Sequence, residues 1–342
     1  MLRKTRLKQG TLQWEKARET RIGSSEIFDI VRYYATDEEL QNCGINAEDF
    51  KSEKPYTTAW ALYHKIKSDG LYKREVLPPE FAEYGHVLEP YGLYELQKNR
   101  RNKLKRGEVY ASDKLIVSLD ISGIAEEKDD VVFTYGNGKA KLGQKFICEQ
   151  KTMTPQAVPK GLPYKYITQA QYQTTYTNAD FFIIQVMILK EDTPFIRGKL
   201  CQMSRKKLYE YLDKNMTVKH YYFKNNVQFG MLIKVCIERF FKDVKEDKEP
   251  KAYIENDSVK NIVESIRLNS FYTDKPCNYN LEDFEKANEL LKRAERLKKE
   301  ELQRIINTAK RNNSCKFSSR NGTTAMFVKD GSFRVKISEV KK

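Results

Sequence analysis

The sequence predicts an α/β fold, a central sheet flanked by helices, on three observations. FFIIQVMIL, Phe181–Leu189, is nearly continuous in apolar residues, as a fully buried strand must be. LIVSLD, Leu115–Asp120, and FICEQK, Phe146–Lys151, are short apolar runs that end on charge. Before FFIIQVMIL, Tyr164–Thr177 carries a helical period, with Tyr166, Gln169 and Gln173 three and four residues apart on one face. Strand, strand, helix, strand is the resulting order.

The other elements follow along the chain. Leu12 to about Tyr34 is helical but interrupted at Gly23-Ser24-Ser25, where a Ser pair ahead of Glu26 and an apolar run reads as an N-cap opening a second helix. Residues 36–55 are polar and read as a loop or small insertion. Thr57–Lys67 predicts a helix that turns Trp60, Leu62, Tyr63 and Ile66 inward. Pro78-Pro79 introduces a longer helix in which Pro90 predicts a kink beside Glu89, and Gly85 marks a place for close backbone approach. Val109–Ala125 gives a strand pair, and residues 126–145, centred on GNGK, an inserted hairpin. GNGK lacks the spacing of a phosphate-cradling loop. Pro155–Pro163 reads as a loop.

Beyond Arg197 the chain is basic and rich in Tyr, then helical from Val227 to about Val244. Leu281 to about Asn312 is a charged helix with Phe284, Leu291, Leu297 and Ile305 on a common side. The tail alternates around Asp330-Gly331 as a β-hairpin. The expected domains are residues 1–200 as a core with insertions near 36–55 and 126–145, residues 201–280 as a basic helical and extended region packed on it, and residues 281–342 as a C-terminal helix and hairpin.

The 342 residues suffice for a sizeable core. A net charge of +15, from 62 Lys and Arg against 47 Asp and Glu, is spread along the chain and attracts polyanions, nucleic acid foremost. No apolar run has transmembrane length, and the basic N-terminus is not followed by an apolar segment, so an intracellular, cytoplasmic protein is expected. Six Cys without a CxxC pair and three scattered His argue against zinc or an iron–sulfur cluster. Any metal here must be held by oxygen.

Along a strand side chains alternate, so Glu149 and Lys151 share a face while Gln150 points away. Asp120 at the end of one strand and Glu-x-Lys on the next make a hard oxygen site for Mg²⁺, with an ammonium beside it for a phosphate or an attacking water. The implied chemistry is metal-assisted phosphodiester hydrolysis. Glu-x-Lys alone is common in solvated strands, and most helical Glu residues, Glu89 included, face solvent. The helix opening at Ser25 presents free N–H groups to a phosphate, and Arg18 can close on it as a bidentate partner, although for that segment taken alone an ordinary cap with a surface Arg is the favoured reading.

In this order the motifs resemble the YqaJ-like viral recombinase family, which includes phage lambda exonuclease, within the PD-(D/E)xK nuclease superfamily. The similarity lies in W-x-x-x-R with a Ser-Glu pair (Trp14, Arg18, Ser25, Glu26), G-x-x-x-E (Gly85, Glu89, then Pro90), the strand-end Asp120, E-x-K (Glu149, Lys151) and Q-x-Q (Gln169, Gln171). The resemblance spans about Trp14 to Leu189 and implies a restriction-endonuclease-like core with a central mixed β-sheet. It implies a Mg²⁺-dependent 5′-to-3′ exonuclease on linear duplex DNA, with Mn²⁺ able to substitute, that leaves a 3′ single-stranded tail for recombination. The implied partners are double-stranded DNA ends, a single-strand annealing protein and further copies in a ring, a trimer in the best-known case, encoded by a phage or prophage.

By carry-over, Asp120, Glu149 and the Gln150 carbonyl hold metal and Glu89 completes the site. Lys151 orients or deprotonates water, its pKa lowered beside divalent cations. Gln169 supports Lys151, and Arg18 with Ser25 holds the 5′-phosphate, Gln171 lying in the same motif. Asp120 is followed by Ile121-Ser122-Gly123 where many relatives have Gly at once, and the family's additional phosphate-binding Arg has no clear match; Lys160 and Lys165 are the candidates. Two alternatives remain: a nuclease of the same superfamily with endonucleolytic or single-strand activity, and a non-catalytic DNA-binding recombination protein.

Overall fold

The computed structural model describes residues 2–68, 79–98, 100–129, 131–157, 161–252, 282–312, 316–318, 324–327 and 333–336. They fall into two compact units, residues 1–272 and 273–342.

The first unit is built on β7 (Lys145–Met153) and β8 (Phe181–Leu189), parallel over their whole length and joined by α7 (Tyr164–Thr177). β8 is buried at every position, and its neighbour on the far side is antiparallel β9 (Met216–Lys224). On the near side β7 pairs antiparallel with β6 (Ile121–Ile124), which pairs with β3 (Lys105–Arg106). This is a five-stranded sheet, and it is mixed, as the resemblance implies.

Alternation along β8 divides the core between its two faces. Phe182, Ile184, Val186 and Ile188 pack with Phe28, Ile30 and Tyr172 and with Phe229, Ile233 and Ile237. These come from α2 (Ile27–Tyr34), α7 and α10 (Val227–Lys245). Met187 and Leu189 face the other way, onto Leu88 and Tyr91 of α6 (Pro79–Gln97) and onto Leu200, Leu208 and Leu212 of α8 (Pro194–Cys201) and α9 (Arg205–Asn215).

A second sheet of four strands contains β1 (Arg3–Lys4), β4 (Val109–Ala111), β5 (Leu115–Ser118) and β2 (Ile22–Gly23), in the order β1-β4-β5-β2. β3–β4 and β5–β6 are the arms of one long hairpin, because Arg106 pairs with Ile121 and Val109 with Ser118 in unbroken register. The hairpin passes from the large sheet to the small one at Gly107 and Asp120, where the Gly107 N–H donates to the Asp120 carbonyl at 3.3 Å. Beyond Ile121↔Cys148 no further β6–β7 pair forms, and the two strands separate.

Two expectations change. Residues 36–55 are not a loop: α3 (Asp37–Asn42) begins in a capping box of Thr36 and Glu39, and α4 (Ala47–Ser52) is capped by Asn46. Each buries one large apolar side chain, Leu40 or Phe50, too few to give a periodic signal. Gly85 has open space where a Cβ would be, whereas a Cβ on Gly92 would lie 2.0 Å from Gln150 Nε2 and 2.6 Å from Gln185 Oε1, so Gly92 is where α6 touches the sheet. Pro90 lies inside α6, and the helix continues to Gln97.

Helices α1 (Leu12–Glu19) and α5 (Ala59–Lys67) complete the elements of this unit. The insertion after β6 is a hairpin joined by Val132↔Lys139. It is anchored by the Arg100–Asp129 pair, both side chains 1% exposed. The second unit holds α11 (Glu282–Asn312) and an antiparallel sheet of β10 (Lys316–Ser318), β11 (Thr324–Phe327) and β12 (Phe333–Lys336), one strand more than the expected hairpin. The Asp330-Gly331 turn, residues 253–280 and Lys160 lie outside the described residues. No helix among the described residues is long and apolar enough to cross a membrane.

Candidate active site

Where β6 leaves β7, a cleft of roughly 230 Å³ opens between the two sheets. Trp14, Arg18, Ser24 and Ser25 line one side. Glu89, Asp120, Glu149, Gln150, Lys151 and Gln169 line the other.

The strand alternation expected of Glu149, Gln150 and Lys151 is present. Gln150 turns toward α6, and its side-chain amide meets that of Gln185 at 2.7 Å. Its backbone N–H, left without a β6 partner, donates to Asp120 Oδ2 at 2.8 Å. Glu149 and Lys151 face α7. Lys151 Nζ donates to Glu149 Oε1 at 2.7 Å and to Gln169 Oε1 at 3.0 Å, and Gln169 Nε2 donates to Glu149 Oε1 at 2.6 Å. Gln173 Nε2 holds the second oxygen of Glu149 at 2.8 Å and also the Ser118 carbonyl at 3.0 Å, tying β7 to β5.

These charges are crowded. Burial pushes the Asp120 carboxyl well above the usual range, and the charges of Glu149 and, less strongly, Glu89 add to the effect. Burial pulls the Lys151 ammonium down, but Glu149 and Asp120 outweigh it and leave its pKa above the ordinary lysine value. The lowering expected at Lys151 presumes a divalent cation; the carboxylates alone reverse its sign. A buried carboxyl with two further carboxylates near it is a place where a divalent cation would neutralise charge. Two carboxylates and a strand carbonyl are also the oxygen donors Mg²⁺ prefers. Asp120, Glu149 and Gln150 therefore fit such an ion. Glu89 stands apart in this state, its oxygens on Arg106 Nη2 at 2.8 Å and His86 Nδ1 at 3.1 Å.

The opposite wall follows from helix geometry. Trp14 and Arg18 are one turn apart on α1, so the guanidinium lies 4.8 Å over the indole ring, while Trp14 Nε1 donates to Ser118 Oγ at 2.8 Å. Arg18 Nη2 reaches Ser25 Oγ at 3.4 Å. Ser24 is 7% exposed, and its hydroxyl has no hydrogen-bond partner among the described residues. The Ser24–Glu26 turn is fixed by Glu26, which accepts from the Gly23 N–H at 2.8 Å and from Lys65 Nζ at 2.9 Å. Glu26 is thus part of the frame of this corner. Lys65 carries no local sequence signal, its partner being 39 positions away.

Two candidates from the sequence are elsewhere. Gln169 and Gln171 are two residues apart on a helix and point to opposite sides. Gln171 is 1% exposed and bonds Asn225 Oδ1 at 2.8 Å and the Asn226 N–H at 3.0 Å, securing the start of α10. Gln173, one turn from Gln169, joins the site in its place. Lys165 lies outside the cleft, its ammonium 4.4 Å over the Tyr56 ring and 4.0 Å from Glu53.

No family model matches the chain, and no curated protein matches it. Among solved structures it is similar to LHK-Exo in complex with dAMP, with 11% identity, 70% of this chain and 96% of that chain covered, and a TM-score of 0.39. LHK-Exo is described as an alkaline exonuclease from Laribacter hongkongensis. A phage-related exonuclease from Haemophilus somnus 129PT gives 14% identity, 66% and 96% coverage and a TM-score of 0.39. The chain is similar to exonucleases of this kind at low identity.

Proposed function

We propose that this protein is a divalent-metal-dependent deoxyribonuclease and, within that class, a 5′-to-3′ exonuclease on the ends of linear duplex DNA. One observation carries the reading: a carboxylate and lysine centre and a second wall of Arg and Ser groups line the same small cleft. The first suits the attacked phosphate and the second the terminal phosphate.

Asp120, Glu149 and the Gln150 carbonyl would hold Mg²⁺, with Mn²⁺ as a substitute. Bound there, the ion supplies charge neutralisation at the scissile phosphate and makes water a stronger acid. The chain's own groups do the rest. Arg18 offers a planar fork to a terminal phosphate, and the Ser24 and Ser25 hydroxyls with the N–H groups of their turn supply further donors. Lys151, fixed by Glu149 and Gln169, is held at one position to orient the attacking water, and it would take up the water's proton only where bound divalent cations outweigh the carboxylates and leave the amine neutral. Water adds to phosphorus and the bond to the 3′ oxygen breaks, which frees a 5′-mononucleotide and leaves a new 5′-phosphate on the shortened strand. Each turnover recreates the group that the Arg18 corner recognises, which suits repeated cleavage from one end.

A time course on linear duplex labelled at each 3′ end, with and without 5′-phosphate, in Mg²⁺ or EDTA, tests this. Mononucleotide release with intact 3′ labels, faster on phosphorylated ends and absent in Lys151→Ala, is expected. Internal cuts would make the protein an endonuclease, and intact DNA throughout a binding protein. A trimeric ring and an annealing-protein partner belong to the same proposal, and light scattering of the purified chain tests the ring.

A further inference from the structure

Glu89 lines the cleft with Asp120 and Glu149, yet both of its oxygens are engaged, one by the Arg106 guanidinium and one by the His86 ring. Among the described residues no three His, Cys, Asp or Glu side chains stand together as a metal cluster. The third carboxylate lines the site with both of its oxygens already taken. What holds it is accessible: the Arg106 side chain is 42% exposed, against 21% for Glu89. Arg106 sits on β3 next to Gly107, whose N–H bonds the Asp120 carbonyl. Lys103 and Lys105 on the same segment are exposed. A polyanion drawn to this strand meets Arg106 first.

We propose that Arg106 holds Glu89 out of the metal site and releases it when a DNA phosphate takes the guanidinium, so that substrate completes the metal site. The inference rests on the nuclease reading. A guanidinium fits a phosphate as well as a carboxylate, and a phosphate that takes the Nη2 of Arg106 takes it from Glu89. Metal and DNA are then linked ligands: each favours the state with Glu89 inward, so each must tighten the other by the same factor. A chain that meets Mg²⁺ without DNA keeps an incomplete site.

The test titrates Mn²⁺ into the full chain without DNA, followed by the paramagnetic signal of the free ion. Arg106→Ala should bind Mn²⁺ more tightly than the wild type, by roughly 5- to 150-fold, the range of ordinary coupling between sites. The double variant Arg106→Ala, Glu89→Gln should lose that gain. In the reciprocal arm, fluorescence anisotropy of a 5′-phosphorylated duplex compares Ca²⁺ with EDTA, and the tightening by Ca²⁺ should be larger in the wild type than in Arg106→Ala. Unchanged or weaker Mn²⁺ binding by Arg106→Ala overturns the inference. So does a double variant that keeps the gain, since removal of a positive charge then explains it. If Asp120→Asn fails to weaken Mn²⁺ binding by the wild type, the metal-site reading itself falls.

Discussion

Lys65→Met probes the frame that supports the Arg18 corner. Lys65 Nζ contacts both Glu26 oxygens at 2.9 Å and the Arg21 carbonyl at 2.8 Å. The side chains are 13% and 2% exposed, so the pair is screened little by solvent. Removing one partner of a buried ion pair costs about 3–5 kcal/mol, most of it from the charge left behind. Methionine retains the apolar stem, and Glu26 keeps its bond from the Gly23 N–H, so the lower end, about 3 kcal/mol, is expected. Urea unfolding followed by tryptophan fluorescence measures it, since Trp14 and Trp60, the two tryptophans of the chain, both lie in the first unit. Adding Glu26→Gln to Lys65→Met should recover more than half of the loss, because a neutral amide oxygen still accepts the Gly23 N–H. A loss below about 1 kcal/mol, the worth of an exposed pair, or a double variant no more stable than the single one, would refute the reasoning.

Four further outcomes are expected. Asp120→Asn should abolish cleavage yet raise the thermal midpoint in EDTA, because it removes a carboxylate crowded by Glu149 and Glu89; calorimetry in EDTA measures the second effect. Gly92→Ala should cost about 1–3 kcal/mol in urea unfolding by driving a methyl group into the Gln150 and Gln185 amides, in spite of its better helix propensity. Gln173→Ala should lower kcat by about 10²-fold through misplacement of Glu149, while Gln171→Ala lowers stability and leaves kcat near the wild type, both checked by single-turnover assays beside urea unfolding. Glu39 is held at about 2 by its bonds from Arg239, so its stabilisation is complete above the unfolded value near about 4.3 and is lost as pH falls toward 2. Arg239→Ala should accordingly flatten the acid limb of stability against pH in that window.

The parts of the fold legible in the sequence were those with a strong period. Phe181–Leu189 and Tyr164–Thr177 occupy the strand and helix that the sequence predicts for them, because continuous apolar burial and a helical repeat each leave one solution. α3 and α4 escaped because one buried side chain apiece gives no period, although the Thr36 and Glu39 capping box was readable. In the site, the alternation of Glu149, Gln150 and Lys151 was fixed by strand geometry alone. Gln171 came in with the Q-x-Q motif, and on a helix a spacing of two sets it on the side away from Gln169. Lys65, Gln185 and Arg106 were illegible for another reason: their partners lie 39, 35 and 17 positions away, and only the folded chain brings them together.

The hairpin shared by the two sheets has a mechanical consequence. Both walls of the cleft are stitched to the same pair of strands, Trp14 to Ser118 above the bend and β7 to Ile121 below it. Opening the cleft as a jaw would require both strands to twist at Gly107 and Asp120, breaking the Gly107 bond to Asp120 and the 2.9 Å bond from the Leu119 N–H to the Glu108 carbonyl. The cleft should therefore behave as a rigid mouth. The amides of Leu119 and Gln150 should exchange with deuterium as slowly as those of β8, only when the whole unit unfolds, and adaptation to a DNA end falls to side chains such as Glu89 and Arg106 rather than to hinge motion between the sheets.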